Sequence, residues 1–172
     1  MKLPRTPSFR LDGRRALVTG CTRGGLGHHT ALELARRGAE VVLAGRREAA
    51  LAETEDTIRA EVPDASLGRL VVDLADLASV RTAAAEVTEP LDLLVNNAGV
   101  MAPAYHRTVD GFELQMATNH FGPFLLTGLL LGVEPGVIAG VALSLALFLW
   151  RASRPHAAIV GRVPGTEHFR NI

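Results

Sequence analysis

The segment Thr19 to Gly27, TGCTRGGLG, stands between a short apolar run and an amphipathic stretch. A strand that turns through glycines directly into a helix is the opening of a parallel α/β unit. Ala16 to Thr19 supplies the strand. Leu26 to Arg37 supplies the helix, with Leu26, Ala31, Leu34 and Ala35 at helical spacing and Gly38 just beyond, where a left-handed cap is wanted. The glycines let the backbone turn sharply and approach a pyrophosphate without a Cβ clash. Unpaired N–H groups at the helix start, near Gly25 to His28, then face the anion.

The same alternation continues. The pattern predicts strands near 15–19, 40–44, 69–73 and 91–95. Helices are expected over Arg47 to Glu61, stopped by Pro63, over Asp76 to Val87, with Asp73 or Asp76 at its start, and over Phe112 to Leu131. Continuous apolar strands separated by helices imply a parallel sheet covered on both faces. Right-handed crossovers then give a partial Rossmann-like, doubly wound sheet of order 3-2-1-4.

Composition excludes several alternatives. The 172 residues are 48% hydrophobic and 21% charged, enough apolar content for one packed domain and unlike a disordered or collagen-like chain. Eighteen basic residues balance 18 acidic ones, so nothing electrostatic favours nucleic acid. One cysteine permits no internal disulfide, and no apolar h-region opens the sequence. Together these predict a cytoplasmic chain. No metal site is expected.

Three more segments carry chemistry. Gly45-Arg46-Arg47 ends the second strand, where a carboxylate would hold the ribose 2′-hydroxyl of NAD. Guanidinium groups there suit a 2′-phosphate instead, so NADP is expected over NAD. Arg23, in the loop, is placed to reach the same phosphate. Asp73 and Leu74 follow the third strand, with the Asp73 carboxylate available to an adenine amino group. Asn96, Asn97, Ala98 and Gly99 follow the fourth, small enough for a cofactor ring to lie against the backbone.

These segments together resemble the short-chain dehydrogenase/reductase family, in its retinol-dehydrogenase-like branch. The resemblance runs from Leu11 to Leu131 through LDGRRALVTG, GGLGHHTALELARRGAEVVLAGRR, VVDLADLASVR, LDLLVNNAGVMAP and TVDGFELQMATNHFGPFLLTGLLL. It implies that Gly20, Gly25 and Gly27 take the glycine roles, with Leu26 between them, in a loop one residue longer than the family's usual TGxxxGxG. It also implies that Asn119, in TNHFGPF, matches the catalytic Asn, which holds a helix bulge and a proton-relaying water.

The family's Tyr-x-x-x-Lys pair and its Ser are expected well after Asn119, and they are not found. Tyr105 is the one tyrosine, with Val109 four residues on, and Lys2 is the one lysine. His106 and Arg107 adjoin Tyr105, but the expected role of that segment is a solvated loop. Loss of general acid chemistry of this kind removes roughly 10²–10⁴-fold in rate.

Residues 132–172 change character. Pro135 to Trp150 carry no charge, and Arg151, Arg154 and His156 follow. RPHAAIVGRVPGTEHFRN resembles the end of the membrane domain of sulfate-permease-type anion transporters. The chain therefore divides as a dinucleotide-binding segment, 1–131, and an apolar helix with a basic tail, 132–172. The expected helix over 135–150 would favour membrane association, although about 20 uninterrupted residues are needed to span a bilayer. The fourth strand is left as a sheet edge, which invites self-association unless Ala157 to Val160 docks there as a substitute fifth strand. The main expectation is an NADP-binding, catalytically incomplete oxidoreductase; the alternatives are unconventional catalysis and a membrane-associated remnant.

Overall fold

The computed structural model describes residues 9–132, Ser144, and the backbone of 160–162 and 169–171. Four parallel strands, β1 (Arg15–Thr19), β2 (Glu40–Gly45), β3 (Leu67–Val71) and β4 (Leu93–Val95), form one sheet of order β3-β2-β1-β4. The helices between them are α1 (Leu26–Arg36), α2 (Glu48–Glu61) and α3 (Leu77–Glu86). After β4 come a single turn, α4 (Leu114–Met116), a π-turn (Ala117–Phe121) and α5 (Gly122–Leu131).

Strand alternation sorts the core into two layers. Val18, Val41 and Leu43 face Ala31, Leu32, Leu51 and Ile58 of α1 and α2. Leu17, Val42 and Ala44 face Val80, Ala83 and Leu126 of α3 and α5. Leu17, Leu43, Ile58 and Leu126 have no exposed surface. Each such side chain stabilises the fold by about 1.5–3 kcal/mol through burial.

Local chemistry explains the ends. Gly38, at φ +88°, ends α1. Asp76, rather than Asp73, caps α3, its carboxylate accepting from the Ala78 and Ser79 N–H groups.

Several expectations are corrected. β3 lies earlier than 69–73, and β4 is shorter than 91–95. The helix expected from Phe112 starts at Leu114, and its π-turn, Ala117–Phe121, contains Asn119, for which a helix bulge was implied. Leu26 is 80% exposed and does not join the packed face of α1. Val160 does not extend the four-stranded sheet: β5 (Val160–Arg162) pairs antiparallel with β6 (Phe169–Asn171) in a separate ribbon. The remaining residues of the proposed fifth strand, and the apolar segment 135–150 apart from Ser144, lie outside the described residues. Among the described residues no helix is long and apolar enough to cross a membrane. The chain separates into two compact units, Met1–Val133 and Glu134–Ile172.

Candidate dinucleotide-binding site

The carboxyl ends of the four strands open into a cleft of about 350 Å³. This is where an open α/β sheet places its ligands, at the point where strand order reverses between β1 and β4. The floor comes from the β1 turn, with Thr19, Gly20 and Thr22. One wall comes from Ala44 and Gly45 at the end of β2 and from Arg46 just after it. The other comes from Val72, Asp73 and Leu74 after β3 and from Asn97 to Val100 after β4. Leu26 and Thr118 complete the rim.

The β1 turn is built around close approaches. Gly20 sits at φ +74°, and a Cβ there would lie 2.8 Å from the Ala98 Cα. Gly27 is buried in the first turn of α1, and a Cβ there would lie 2.5 Å from both the Gly20 carbonyl oxygen and Asn97 Nδ2. Only glycine lets α1 start so close to the strand ends. Gly25 caps α1 with no side-chain bond, leaving the first-turn N–H groups for an anion.

Asn97 and Thr19 fasten β1 to β4. Asn97 Nδ2 donates to the Thr19 and Gly20 carbonyls, at 2.9 and 3.3 Å. Thr19 Oγ1 accepts from the Asn97 and Ala98 N–H groups, at 3.1 and 3.0 Å. The Asn97 side chain is therefore a brace under the cleft. Asn96 turns away and donates to Thr127 Oγ1 of α5 at 3.0 Å.

Asp73 accepts from the Ala75 N–H at 2.9 Å through one carboxylate oxygen, and its own N–H donates to Ser79 Oγ. Arg46 lines the main cleft and also a smaller hollow beside Thr22 and Arg47. Among the described residues neither Arg46 nor Arg23 forms an ion pair, whereas ten ion pairs hold other arginines. Arg23 is exposed and, like Gly25 and Gly27, is not part of the cleft lining.

Asn119 sits in the π-turn and grips one residue twice. Its Oδ1 accepts from the Val100 N–H at 2.8 Å, and its Nδ2 donates to the Val100 carbonyl at 2.7 Å. π-turns of this kind recur at functional sites. Here it aims an amide side chain across to the β4 loop, fixing Gly99 and Val100 as one wall.

Among the described residues no tyrosine or lysine lines the cleft. Tyr105 is 74% exposed, accepts from Arg107 Nε at 3.0 Å and does not line the cleft. Cys21 is no nucleophile: burial pushes its thiol up to about 12, and Sγ donates to the Val18 carbonyl at 2.9 Å. Among the described residues no group of three His, Cys, Asp or Glu could hold a metal.

Sequence reasoning passed over Thr22, Val72, Val100 and Thr118, which also line the cleft. Thr22 lies inside the glycine-rich segment, and Thr118 adjoins Asn119; either neighbour was a signal. Nothing in the local sequence marks Val72 or Val100.

Fold and cleft define a Rossmann-like α/β domain with its cleft at the carboxyl ends of the strands. The chain belongs to the short chain dehydrogenase family, whose profile matches residues 14–139. It is 48% identical over 124 residues to an uncharacterized oxidoreductase of Schizosaccharomyces pombe, covering 70% of this chain and 36% of that protein. It is 46% identical over 136 residues to mouse retinol dehydrogenase 14, covering 72% of this chain and 40% of the relative. Among solved structures, a gluconate 5-dehydrogenase from Burkholderia cenocepacia in complex with NADP and tartrate matches with TM-score 0.57 and 36% identity, over 72% of this chain and 49% of that one. The chain thus spans about two fifths of the length of these curated relatives.

Proposed function

We propose that these 172 residues bind NADP in the cleft and do not by themselves complete an oxidoreductase reaction. The observation that carries the reading is the arginine pair after β2: Arg46 lines the cleft where NAD would need a carboxylate. The glycine cradle supports it, since a Cβ at Gly20 or Gly27 would collide with Ala98, Asn97 or the Gly20 carbonyl and push the start of α1 away from the strand ends. NADP in the solved Burkholderia relative supports it as well.

The roles divide by wall. Gly20, Gly25, Leu26 and Gly27 receive the pyrophosphate at the start of α1. Arg46, with Arg23, holds the 2′-phosphate. Asp73 and Leu74 flank the adenine, and the carboxylate oxygen not engaged by Ala75 is the acceptor for its amino group. Asn97, Ala98 and Gly99 form the surface for the nicotinamide half. When bound, the cofactor supplies hydride chemistry. Asn119 positions the Val100 wall.

Within these residues no tyrosine is followed four positions later by lysine. No side chain here matches the group that would protonate a developing alkoxide. The expected outcome is NADPH binding with no NADPH oxidation above background on aldehydes, ketones or retinoids. Turnover abolished by Tyr105→Phe or His106→Ala would overturn it. The proposed division after residue 131 assigns the binding role to the first segment. The transporter-like reading of 132–172 rests on its sequence alone, and the family match runs past that boundary to residue 139.

Calorimetry tests the cofactor assignment. The parent is expected to bind NADPH at least about tenfold more tightly than NADH, from charge-assisted bonds to one phosphate. Arg46→Asp should reverse the order. Equal binding of both by the parent would refute it.

A further inference from the structure

The β1–α1 loop carries one residue more than the family's usual loop, and Gly24 bears the strain of it. Its φ is +78°, and nothing lies within 4 Å of where its Cβ would be. Packing does not hold Gly24. Its N–H donates to Nδ1 of His28 at 2.9 Å. His28 stands third in the helix after the cap Gly25, the position from which a capping-box side chain reaches back to the loop.

We propose that His28 is a positioning residue of the phosphate loop, its neutral imidazole holding the extra glycine while adding no negative charge where pyrophosphate binds. The inference rests on the NADP-binding reading for its ligand, but its geometry does not. A capping-box Glu here would supply the same acceptor together with a carboxylate that repels the phosphate from the helix start. A neutral imidazole supplies the acceptor alone. Accepting at Nδ1 places the proton on Nε2. That nitrogen is buried and has no partner among the described residues.

The surroundings keep the ring neutral. His28 is 5% exposed and stacks on His29, with centroids 5.1 Å apart. Burial lowers its pKa most, His29 and Arg23 lower it further, and Glu61 alone opposes them. A second proton would occupy the lone pair that Gly24 uses.

Three variants separate the acceptor from the bulk and the charge. His28→Asn keeps an acceptor near the Nδ1 position, His28→Leu keeps bulk without an acceptor, and His28→Glu adds an acceptor with charge. Each is titrated with NADPH and with 2′-AMP, which lacks the pyrophosphate. The Leu variant should bind NADPH about 3–10-fold more weakly, the worth of one hydrogen bond. The Asn variant should recover parental affinity, and the Glu variant should fall below Asn. Binding of 2′-AMP, whose phosphate Arg46 also holds, should change less than binding of NADPH in every variant.

Amide exchange gives a ligand-free readout. The Gly24 amide should exchange faster in Leu and return to the parental rate in Asn, and ¹⁵N shifts of the parental imidazole at pH 7 should report a bare Nδ1. Parental binding by the Leu variant, no recovery in Asn, or equal binding by Asn and Glu would each overturn the role of His28. Should Leu fail to fold, the Asn–Glu contrast still decides. A parent that binds neither ligand but shows the Gly24 exchange pattern refutes the NADP reading and leaves the loop contact standing.

Discussion

The β1–α1–β2 side of the cleft and the β4–α5 side are built to different degrees of closure. On the first, β1 pairs with β2 along the whole of Arg15–Thr19, and Leu17, Val18, Val41 and Leu43 have no exposed surface. On the second, β4 pairs with β1 only from Ala16 to Val18, and Leu93 on that strand is 42% exposed. Phe124 of α5 is 74% exposed, with Leu129 and Leu131 also open. The first side is thus held by full strand pairing and a closed core. The other packs through Leu126 of α5 and, with its shorter strand pairing, adds the side-chain bonds of Asn97 and Asn119.

The largest effect is expected where backbones touch. Gly27→Val should abolish NADPH binding and lower stability by about 1–3 kcal/mol, since its Cβ meets the Gly20 carbonyl. Calorimetry and thermal melting check this, and near-parental values in both would mean that α1 can retreat from the strand ends.

Asn97→Ala should be next. It removes the brace between the two sides and leaves the Thr19 and Gly20 carbonyls unserved, costing about 1–3 kcal/mol. Denaturant unfolding should show the loss, with the denaturant slope unchanged.

Asn119→Ala should sharpen the contrast further. Val100 loses both its bonds, so amide exchange should speed up around residues 99–101 while β1 and β2 amides keep their protection. Equal acceleration on both sides would show that the cleft opens as one unit.

A pH effect should separate the loop from the rest. His28 has a lowered pKa in the fold, so the unfolded chain binds its proton more readily. Its contribution to stability is complete above the ordinary value near 6.5 and is lost as pH falls through the lowered one. Stability measured from pH 7 down to pH 5 should therefore fall less in His28→Asn than in the parent.

The smallest effect belongs to the exposed face. Phe124→Glu should change stability by no more than about 0.5 kcal/mol. Sedimentation should show less self-association than the parent, and an unchanged value would mean that this face does not join copies.

Much of this was legible in the residue order. Alternation of apolar runs and helices, with Gly38 and Pro63 at helix ends and Asp76 at a helix start, pointed to the four parallel strands, the helices between them and the order 3-2-1-4, because local periodicity and parallel crossovers leave few alternatives. The glycine-rich turn and Arg46 after β2 were legible by residue type, and the fold brings Gly20 and Arg46 to one cleft. Tertiary structure decided the rest. Leu26 matches a helical stripe yet stands open at the cleft, since the helix begins against strand ends and not against a core. The resemblance implied a bulge at Asn119, but only the fold shows what its amide meets, both backbone groups of Val100, 19 residues away. His28 looks like one of two adjacent surface histidines, and only the fold returns its ring to Gly24. A sequence reports what each residue can offer; which group it reaches depends on chain segments that meet only after folding.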